Sequence, residues 1–372
     1  MSEARNSPEK VHRYICPGCG ADLLFEPHDG SLTCPYCNRK EIIPQSNAEV
    51  IERSYEEYLR APSNKMTTMA VGALEVKCEG CYATVTFTPP EVAGECSFCG
   101  NPIVAQPKAA DPLVAPEAVL PFQITRKQAD EAIKQWLSTR WFAPNALKKM
   151  AYREGVNGIY LPHWTYDAHT LSYYSGERGE HYYDTEYYTE TDAQGNTVQK
   201  SRQVQRTRWY SASGQVQRWF DDVLVTATKS VHKQRLESLG AWDLHMLKPY
   251  EPAFLSGFKA QRYEVELAEG FEDAKHQMAS VIDGDVRRDI GGDEQRVHDV
   301  QTSYSGITFK HILLPIYLGA YRFNQKVYQV MINARTGVVQ GERPYSFWKI
   351  FFLVLTIIAL IVVIVLIANA KS

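Results

Sequence analysis

The cysteines constrain the fold of this chain more than any other feature. All eight lie between residues 16 and 99, and each belongs to a Cys-x-x-Cys pair. In each half of this stretch fourteen residues separate two pairs, and the two halves are offset by 62 residues. Glycine, alanine, phenylalanine and proline positions repeat at the same offset, which indicates a duplicated module. The pairs are Cys16/Cys19, Cys34/Cys37, Cys78/Cys81 and Cys96/Cys99.

This spacing is typical of metal sites. Two thiolates two residues apart lie on a tight turn, and two such turns on neighbouring hairpins complete a tetrahedral shell of four sulfurs. The pattern resembles zinc ribbons and predicts two Zn²⁺ ions, one in each half. Disulfides, a redox pair, iron of the rubredoxin type and pairing of cysteines between the halves are the alternatives. Because a closed Cys₄ site has no open position for substrate, we expect it to support folding and binding, not catalysis.

The composition is that of an ordinary folded protein. The 372 residues are 44% apolar and 22% charged, with a formal net charge of −3. This length is enough for two or three domains with packed cores. The near-neutral charge argues against a general nucleic-acid binder, because such binding depends on neutralising phosphates.

A membrane anchor is predicted near the end of the sequence. Residues 350–368 are nineteen uncharged and almost wholly apolar positions, enough for a helix to cross the roughly 30 Å hydrocarbon core. Tyr345, Phe347 and Trp348 precede them as an aromatic belt. Residues 1–15 contain no secretory signal, and cysteines of the metal-binding type need a reducing compartment. We therefore expect a tail-anchored, single-pass protein of the cell membrane, with its N-terminal bulk in the cytoplasm.

The expected fold class is α+β: two N-terminal zinc ribbons, a mixed domain with antiparallel sheet, and one C-terminal transmembrane helix. A capping box at Thr125 begins one amphipathic helix, and a second helix is expected over 267–289. Each precedes an Ile-x-Leu-Pro strand, at 159–168 and 312–321, which suggests a duplicated helix–strand unit. The expected division is zinc ribbon 1 at 1–43, a helical spacer at 44–74, zinc ribbon 2 at 75–105, a proline-rich linker at 106–121, the α+β domain at 122–342 and the membrane anchor at 343–372.

Turn and breaker residues predict three finer features of the domain. Pro162 should place its strand at a sheet edge or a bulge. Turn signals at 192–195 and 211–214 should divide residues 171–230 into the strands of a meander. Residues 287–299 should form a polar loop.

Few candidate sites lie outside the cysteines. His163, Asp167 and His169 would share one face of a regular strand, and Asp167 and His169, about 6.6 Å apart, could share a ligand. The simpler interpretation is a polar sheet face. The acidic, tyrosine-rich run at 173–190 could be a contact surface or an edge hairpin. Four arginines could face it across the sheet or bind anions: Arg202, Arg206, Arg208 and Arg218.

Motifs of catalysis are missing. No Gly-Lys dipeptide occurs, which excludes a Walker A loop, and G-x-G-x-x-G, G-x-S-x-G and H-E-x-x-H are absent. We expect a protein that is not an enzyme.

The whole chain resembles a family of bacterial membrane-anchored double zinc-ribbon proteins. The likeness is carried by the ribbons, the stretch at 121–144 that ends in WFAP, the strand GIYLPHWTYDA and the tail helix. Such proteins are often labelled "TFIIB-type zinc ribbon" or "primosomal protein N′, replication factor Y, superfamily II helicase". The helicase label conflicts with the missing nucleotide loop. Some relatives are linked to membrane-stress systems of the phage-shock type, which implies recruitment of soluble partners to the bilayer.

Two functions follow as expectations. The first is a non-enzymatic adaptor that holds cytosolic or membrane-associated protein partners at the bilayer. Charge favours it, since residues 10–42 carry four basic and four acidic residues, and residues 75–108 carry two and four. The second is a membrane-tethered nucleic-acid binder of replication or transcription type, which would need a basic surface elsewhere. The sequence leaves the partner, the signal and the oligomeric state open.

Overall fold

The computed structural model describes residues 14–43, 49–60, 114–144, 156–191, 196–261, 263–323 and 326–371, with the backbone of five short strands between residues 74 and 109. These residues form a mixed α+β fold built on a large, mainly antiparallel sheet, which confirms the expected class at this level. An apolar helix lies at the C-terminal end.

The elements follow one another in a simple order along the chain. The strands are β1 (Leu24–Glu26), β2 (Ser31–Thr33), β3 (Lys40–Glu41), β4 (Arg53–Ser54), β5 (Leu74–Lys77), β6 (Thr84–Phe87), β7 (Ala93–Glu95), β8 (Pro102–Val104), β9 (Lys108–Ala109), β10 (Ala118–Val119), β11 (Asn157–Thr191), β12 (Thr197–Thr226), β13 (Lys248–Pro249), β14 (Lys259–Ala260), β15 (Glu294–Phe323), β16 (Lys326–Asn333) and β17 (Val339–Gly341). The helices are α1 (Tyr55–Arg60), α2 (Arg126–Ser138), α3 (Lys233–Glu237), α4 (Leu267–Ile290) and α5 (Phe347–Lys371).

Three very long strands form the body of the sheet. They lie in the order β12-β11-β15, and both neighbours run antiparallel to β11. At about 3.3 Å per residue, the 35 residues of β11 extend over roughly 115 Å. Tyrosine, threonine and valine recur along these strands, as the pleated geometry favours. Such lengths are far above the usual five or six residues of a strand.

Helix α4 covers one face of this sheet. The indole nitrogen of Trp164 donates to the carbonyl oxygen of Val265 at 2.9 Å, and the Tyr166 hydroxyl donates to that of Leu267 at 2.7 Å. The helix approaches so closely at Gly270 that an added Cβ would lie 2.6 Å from the Tyr166 oxygen. The helix predicted over 267–289 is therefore confirmed. The close approach to Tyr166 explains why position 270 is a glycine.

The predicted N-terminal capping box of α2 is confirmed as well. The Thr125 hydroxyl accepts from the Gln128 backbone at 3.3 Å, and the Gln128 side chain accepts from the Thr125 backbone at 2.7 Å. The expected apolar stripe faces the core through Ala129, Ile133 and Leu137.

Two predictions from turn residues were wrong, and a third turn lies outside the described residues. Residues 211–214 lie inside β12, where Gly214 lets the ring of Tyr174 pack against the backbone. Residues 287–299 are the end of α4, a tight turn with positive φ at Gly291 and Gly292, and the start of β15. The signal at 192–195 falls between β11 and β12, outside the described residues.

Pro162 lies in the central strand and not at an edge, contrary to the expectation. It pairs with Leu313 on one side. On the other side β14 pairs only with Ile159 and Tyr160, and β12 begins to pair at His163. Pro162 occupies the gap between these two ladders, where no strand hydrogen bond from its nitrogen is needed.

The two Ile-x-Leu-Pro segments lie directly opposite each other. Leu161 pairs with Leu314, Pro162 with Leu313 and Tyr160 with Pro315, as equivalent residues around an approximate two-fold axis would. Each segment also pairs in parallel with a short strand, β14 beside β11 and β10 beside β15. Each short strand begins eight residues before its helix.

Matching contacts support the same two-fold relation. The Tyr317 hydroxyl donates to the Ile124 carbonyl oxygen just before α2, as Trp164 donates to Val265 just before α4. The ring centroids of Phe122 and Tyr317 lie 5.0 Å apart, and those of the equivalent pair Tyr263 and Trp164 lie 4.9 Å apart. This is the arrangement that a duplicated strand–helix–strand unit would produce.

The predicted spacer and linker both contribute to the sheet. Residues 49–60 add β4 at the edge of β15 and then the short helix α1. The last part of the predicted linker, 106–121, forms β10 between β15 and β13, and its Val119 and Leu120 are fully buried. Burial of these apolar side chains explains why this proline-rich segment does not remain a free linker.

Helix α5 is the one candidate membrane span among the described residues. Its apolar window, Phe347–Leu366, has a mean hydropathy of 3.2, and none of it is buried by the rest of the protein. A core helix of a soluble protein would be mostly buried, so its exposure is consistent with an anchor. The helix begins three residues earlier than the predicted span of 350–368.

Candidate metal centre

The first ribbon presents its cysteines on two similar turns. Strands β1, β2 and β3 form a small antiparallel sheet, with one Cys-x-x-Cys turn before it and one between β2 and β3. In each turn the fourth residue after the first cysteine, Gly20 or Asn38, has positive φ and donates its N–H back to that cysteine's carbonyl oxygen. Glycine and asparagine tolerate this conformation best, which explains their positions.

The four sulfurs converge as a metal site requires. Those of Cys16, Cys19, Cys34 and Cys37 all lie within 4.8 Å of one another. Two of the contacts, Cys16 to Cys37 and Cys19 to Cys34, are 3.4 Å, far longer than a disulfide bond of about 2.05 Å. A tetrahedral ion with Zn–S bonds of about 2.3 Å needs sulfurs about 3.8 Å apart. The cluster therefore suits one tetrahedral ion such as zinc.

Backbone N–H groups donate toward these sulfurs and lower the pKa of two of them, Cys16 and Cys34, while the neighbouring thiols raise the pKa of Cys19 and Cys37. The pKa of the Cys34 thiol is lowered to about 6, chiefly by the N–H of Cys37 and also by that of Tyr36 against the effect of burial. Cys16 and Cys34 are buried while Cys19 and Cys37 are exposed, so the site lies at the rim of the ribbon. With four protein ligands the ion would have no open position, so it would support folding rather than catalysis.

The ribbon is not a separate body on a tether. Its Phe25 packs against Phe254, with ring centroids 5.5 Å apart, and against Phe258. The Phe25 backbone N–H donates to the Ser256 carbonyl oxygen at 3.0 Å. Cys16 and Cys34 belong to the same apolar core cluster as residues of α2 and the sheet. The metal centre is therefore a corner of the main core.

The second set of predicted ligands lies outside the described residues. These are Cys78, Cys81, Cys96 and Cys99. The described backbone shows that β5 pairs with β6 on either side of one pair, and β7 pairs with β8 on either side of the other. One group of four cysteines that could hold a metal ion is thus shown in the described part of the chain, and the two Zn²⁺ ions stay a prediction.

The structure does not bring His163, Asp167 and His169 together as a site. His163 is buried, burial lowers its pKa to about 4, and its Nδ1 lies 3.1 Å from the Leu161 carbonyl oxygen. A bulge follows Asp167, and His169 is exposed, with its ring centroid 4.0 Å from that of Trp219 and the two ring planes tilted by 46°. The premise of a regular strand was wrong.

Sequence reasoning missed a buried charge cluster at this bulge. The Lys310 ammonium is only 8% exposed and lies 2.9 Å from Glu52 and 2.7 Å from Asp222. Asp167 accepts from the Thr308 hydroxyl and from the Asp222 backbone, and burial raises its pKa to about 6. The cluster fixes the spacer residue Glu52 to the sheet. Its only sequence signal is a lysine within the apolar run FKHILL.

The arginines of β12 face the acidic run across the sheet, one of the two arrangements that the sequence allowed. Arg202 lies 2.8 Å from Glu186, and Arg206 lies 3.0 Å from the same carboxylate. Arg218 makes a bidentate pair with Asp285 on α4. Arg208 lies over the ring of Tyr182. Since three of the four charges are compensated by carboxylates, this strand is a poor candidate for a phosphate-binding surface.

Comparison with known proteins gives one distant relative and no function. The chain is 24% identical over 339 residues to the "Uncharacterized protein YdjG" of Bacillus subtilis (strain 168), covering 91% of each protein. No family model matches the sequence. No solved structure matches it either.

Proposed function

We propose that this chain is a membrane-anchored, non-enzymatic adaptor that holds cytosolic proteins at the cytoplasmic face of the bilayer and serves in a membrane-stress response. The supporting observation is α5, an apolar helix that leaves a folded domain without being covered by it. Every exposed apolar residue of this helix would cost free energy in water, and a bilayer removes that cost.

The metal centre suits such a role. A second Zn²⁺ on Cys78, Cys81, Cys96 and Cys99 would complete two closed sites, which position surfaces but offer no reactive metal position. The alternative, a membrane-tethered nucleic-acid binder, has less support because three of the four arginines of β12 are paired with carboxylates.

Membrane anchoring is tested on the full-length protein. We expect it to resist alkaline extraction from membranes, and we expect Leu360→Arg combined with Ile361→Arg to release it. Each arginine near the centre of a span costs about 2.5 to 3.5 kcal/mol. The control Leu360→Phe should stay in the membrane. Release of the unmodified protein by alkali would refute the anchor.

The adaptor role is tested by crosslinking in cells. We expect a few proteins to be attached, to survive nuclease treatment, and to be lost in a Cys16→Ser/Cys78→Ser variant that still reaches the membrane. Attachment dominated by nucleic acid, with the proteins lost after nuclease, would replace the adaptor with the nucleic-acid binder.

A further inference from the structure

The long sheet ends in a two-stranded arm. β15 begins at Glu294, opposite Gly179, so residues 180–191 pair only with 197–208 in the described part of the chain. We call these two segments the arm. At about 3.3 Å per residue it projects roughly 40 Å. None of its described side chains is buried. An isolated two-stranded hairpin is marginally stable in water, so a partner surface would stabilise it.

The two faces of the arm differ in charge. Its even-numbered residues carry acids on one strand and bases on the other, and these pair with each other within the chain. Lys200 lies 2.6 Å from Glu190, and Arg202 lies 2.8 Å from Glu186. The charged members are Glu180, Asp184, Glu186, Glu190, Lys200, Arg202, Arg206 and Arg208.

The opposite face carries hydroxyl, amide and aromatic groups. On β12, all eleven odd-numbered positions from 197 to 217 lack a charge and lack an aliphatic side chain. The facing residues of β11 continue the pattern, with Tyr183 67% exposed and Tyr187 70% exposed. We call this the uncharged face: Tyr183, Thr185, Tyr187, Thr189, Thr191, and on β12 Thr197, Gln199, Ser201, Gln203, Gln205, Thr207, Trp209, Ser211, Ser213, Gln215 and Gln217.

No helix or additional strand among the described residues covers this face. Helix α4 packs on the other side of the sheet, where Tyr174 donates to Asp289 and Arg218 pairs with Asp285. Nearer the domain two pairs of ionisable side chains interrupt the odd-numbered positions. In the first, Glu294 lies 2.8 Å from His181 and accepts from the Thr207 hydroxyl at 3.1 Å. In the second, Arg296 lies 3.4 Å from Glu177, and its guanidinium lies 3.7 Å from the ring centroid of Trp209.

The chemistry of the uncharged face selects its partner. The cation beside it, Arg296, is already paired with Glu177 and is not free for a phosphate, and the face has no aliphatic group for a bilayer. A charged protein surface would lose hydration there without gaining an opposite charge. Hydroxyls and amides are both donors and acceptors, so a face built from them can satisfy a copy of itself. We propose that the uncharged faces of two copies of this chain pack against each other, sheet on sheet, around a two-fold axis.

The size of the face is adequate for such a dimer. Two strands of the face lie side by side over 183–191 and 197–205, roughly 30 Å by 10 Å, and β12 alone continues for roughly 40 Å, which gives about 500 Å² for each copy. Two copies together would bury about 1,000 Å², which is the lower limit for a specific interface. The inference concerns the sheet alone and does not depend on the proposed membrane anchor.

The test measures the oligomeric state of the full-length, zinc-loaded protein in detergent by light scattering over a range of concentrations. Gln203→Lys places a lysine on the uncharged face. Val204→Lys places the same charge on the neighbouring residue, which lies on the opposite, charged face beside Asp184. We expect the unmodified protein and Val204→Lys to be dimers, and Gln203→Lys to raise the dimer Kd roughly a hundredfold, because like charges then meet across the interface.

Three outcomes would overturn the proposal. The unmodified protein could be monomeric at every concentration, which would leave the face to another polar, uncharged partner. Both variants could dissociate equally, or the dimer could survive Gln203→Lys, which would place the association on another surface such as α5. Circular dichroism and zinc content check that the variants are folded.

A bismaleimide crosslink in Ser201→Cys, lacking in Ser230→Cys, gives a second measurement that does not depend on a charge.

Discussion

Glu117 is a buried carboxyl group whose charge changes near neutral pH. Burial raises its pKa to about 7, although Arg53 lies 2.7 Å from one oxygen and the His311 backbone N–H donates to the other at 2.6 Å. Its pKa in the unfolded chain is near the ordinary value of 4.5. The folded state therefore binds this proton more tightly, and the ionised group lowers stability at pH values above 7.

We predict that Glu117→Gln stabilises the protein at pH 8 and that the gain disappears as the pH falls from 7 to about 4.5. The shift corresponds to about 3 kcal/mol at most. The measurement is the difference in unfolding free energy between the two proteins at several pH values. This difference cancels the opposing effect of His163 and His311, whose pKa values are lowered to about 4 by burial.

The exposed Glu56, on α1, supplies the control, because its side chain is 60% exposed and makes only a surface pair with Arg60 in the described chain, so Glu56→Gln should change the unfolding free energy little. A gain from Glu117→Gln that stays constant between pH 5 and pH 8 would show that Arg53 keeps the carboxylate charged throughout.

The sequence predicted which functional side chains meet where their spacing along the chain is enough to bring them together. The first four cysteines converge because Cys-x-x-Cys turns bring thiolates together wherever a hairpin forms. The Lys310 cluster was not predictable, because its partner Glu52 lies 258 residues away and the bulge that admits Asp222 leaves no sequence signal. His169 was misplaced for the same reason, since one bulge turns the following side chains to the other face.

In the first ribbon, metal binding is coupled to the packing of the hairpin β1–β2 against the main core. We predict that Cys34→Ser releases one ion for each chain, frees the hairpin β1–β2 and exposes the apolar surface around Phe254 to which Phe25 is bound. The physical reason is that three thiolates hold zinc much less tightly than four, and such ribbons owe their folding to the metal.

Zinc content and limited proteolysis measure this outcome. Tyr36→Ala is the matched control, because Tyr36 lies between Cys34 and Cys37 and is 80% exposed, so its loss should leave the ion in place. Loss of two ions from the single Cys34→Ser substitution would show instead that the two sets of cysteines share ligands.

Helices were easier to predict than strands. Helical periodicity and caps are local, so α2 and α4 were found close to their observed bounds. The strands depend on distant partners, and small polar residues inside β12 resemble a turn when seen alone. Gly214 is needed there because an added Cβ would lie 2.7 Å from the Tyr174 hydroxyl oxygen on the neighbouring strand. Packing across the sheet therefore overrode the local turn signal.

The whole molecule is more integrated than its sequence suggests. The predicted spacer and linker supply β4 and β10, and the ribbon shares its core with the domain. The weak repeat of two Ile-x-Leu-Pro segments was a useful signal, since these segments pair around the approximate two-fold axis at Leu161 and Leu314. Their alignment in space could not be read from the sequence, because a four-residue match specifies no register.

The domain is also attached to the start of α5. The Lys349 ammonium donates to the carbonyl oxygens of Trp141 and Ala143, each at 2.9 Å, and the Ser346 N–H donates to that of Phe142 at 2.8 Å. Trp141 is 62% exposed and Trp348 is 65% exposed. If α5 crosses the bilayer, Trp141 must lie at the same interfacial depth as Trp348, where tryptophan is favoured.

We predict that Trp141→Phe removes about half of the tryptophan fluorescence that lipids brominated near the headgroup can quench in vesicles containing the full-length protein. The chain has seven tryptophans, and Trp141 and Trp348 are the two placed at the interface. Trp219→Phe is the control, because Trp219 lies on the sheet beside His169 and should contribute only unquenched signal. An equal loss of quenchable signal in both variants would mean that the domain does not rest on the membrane through residues 141–143.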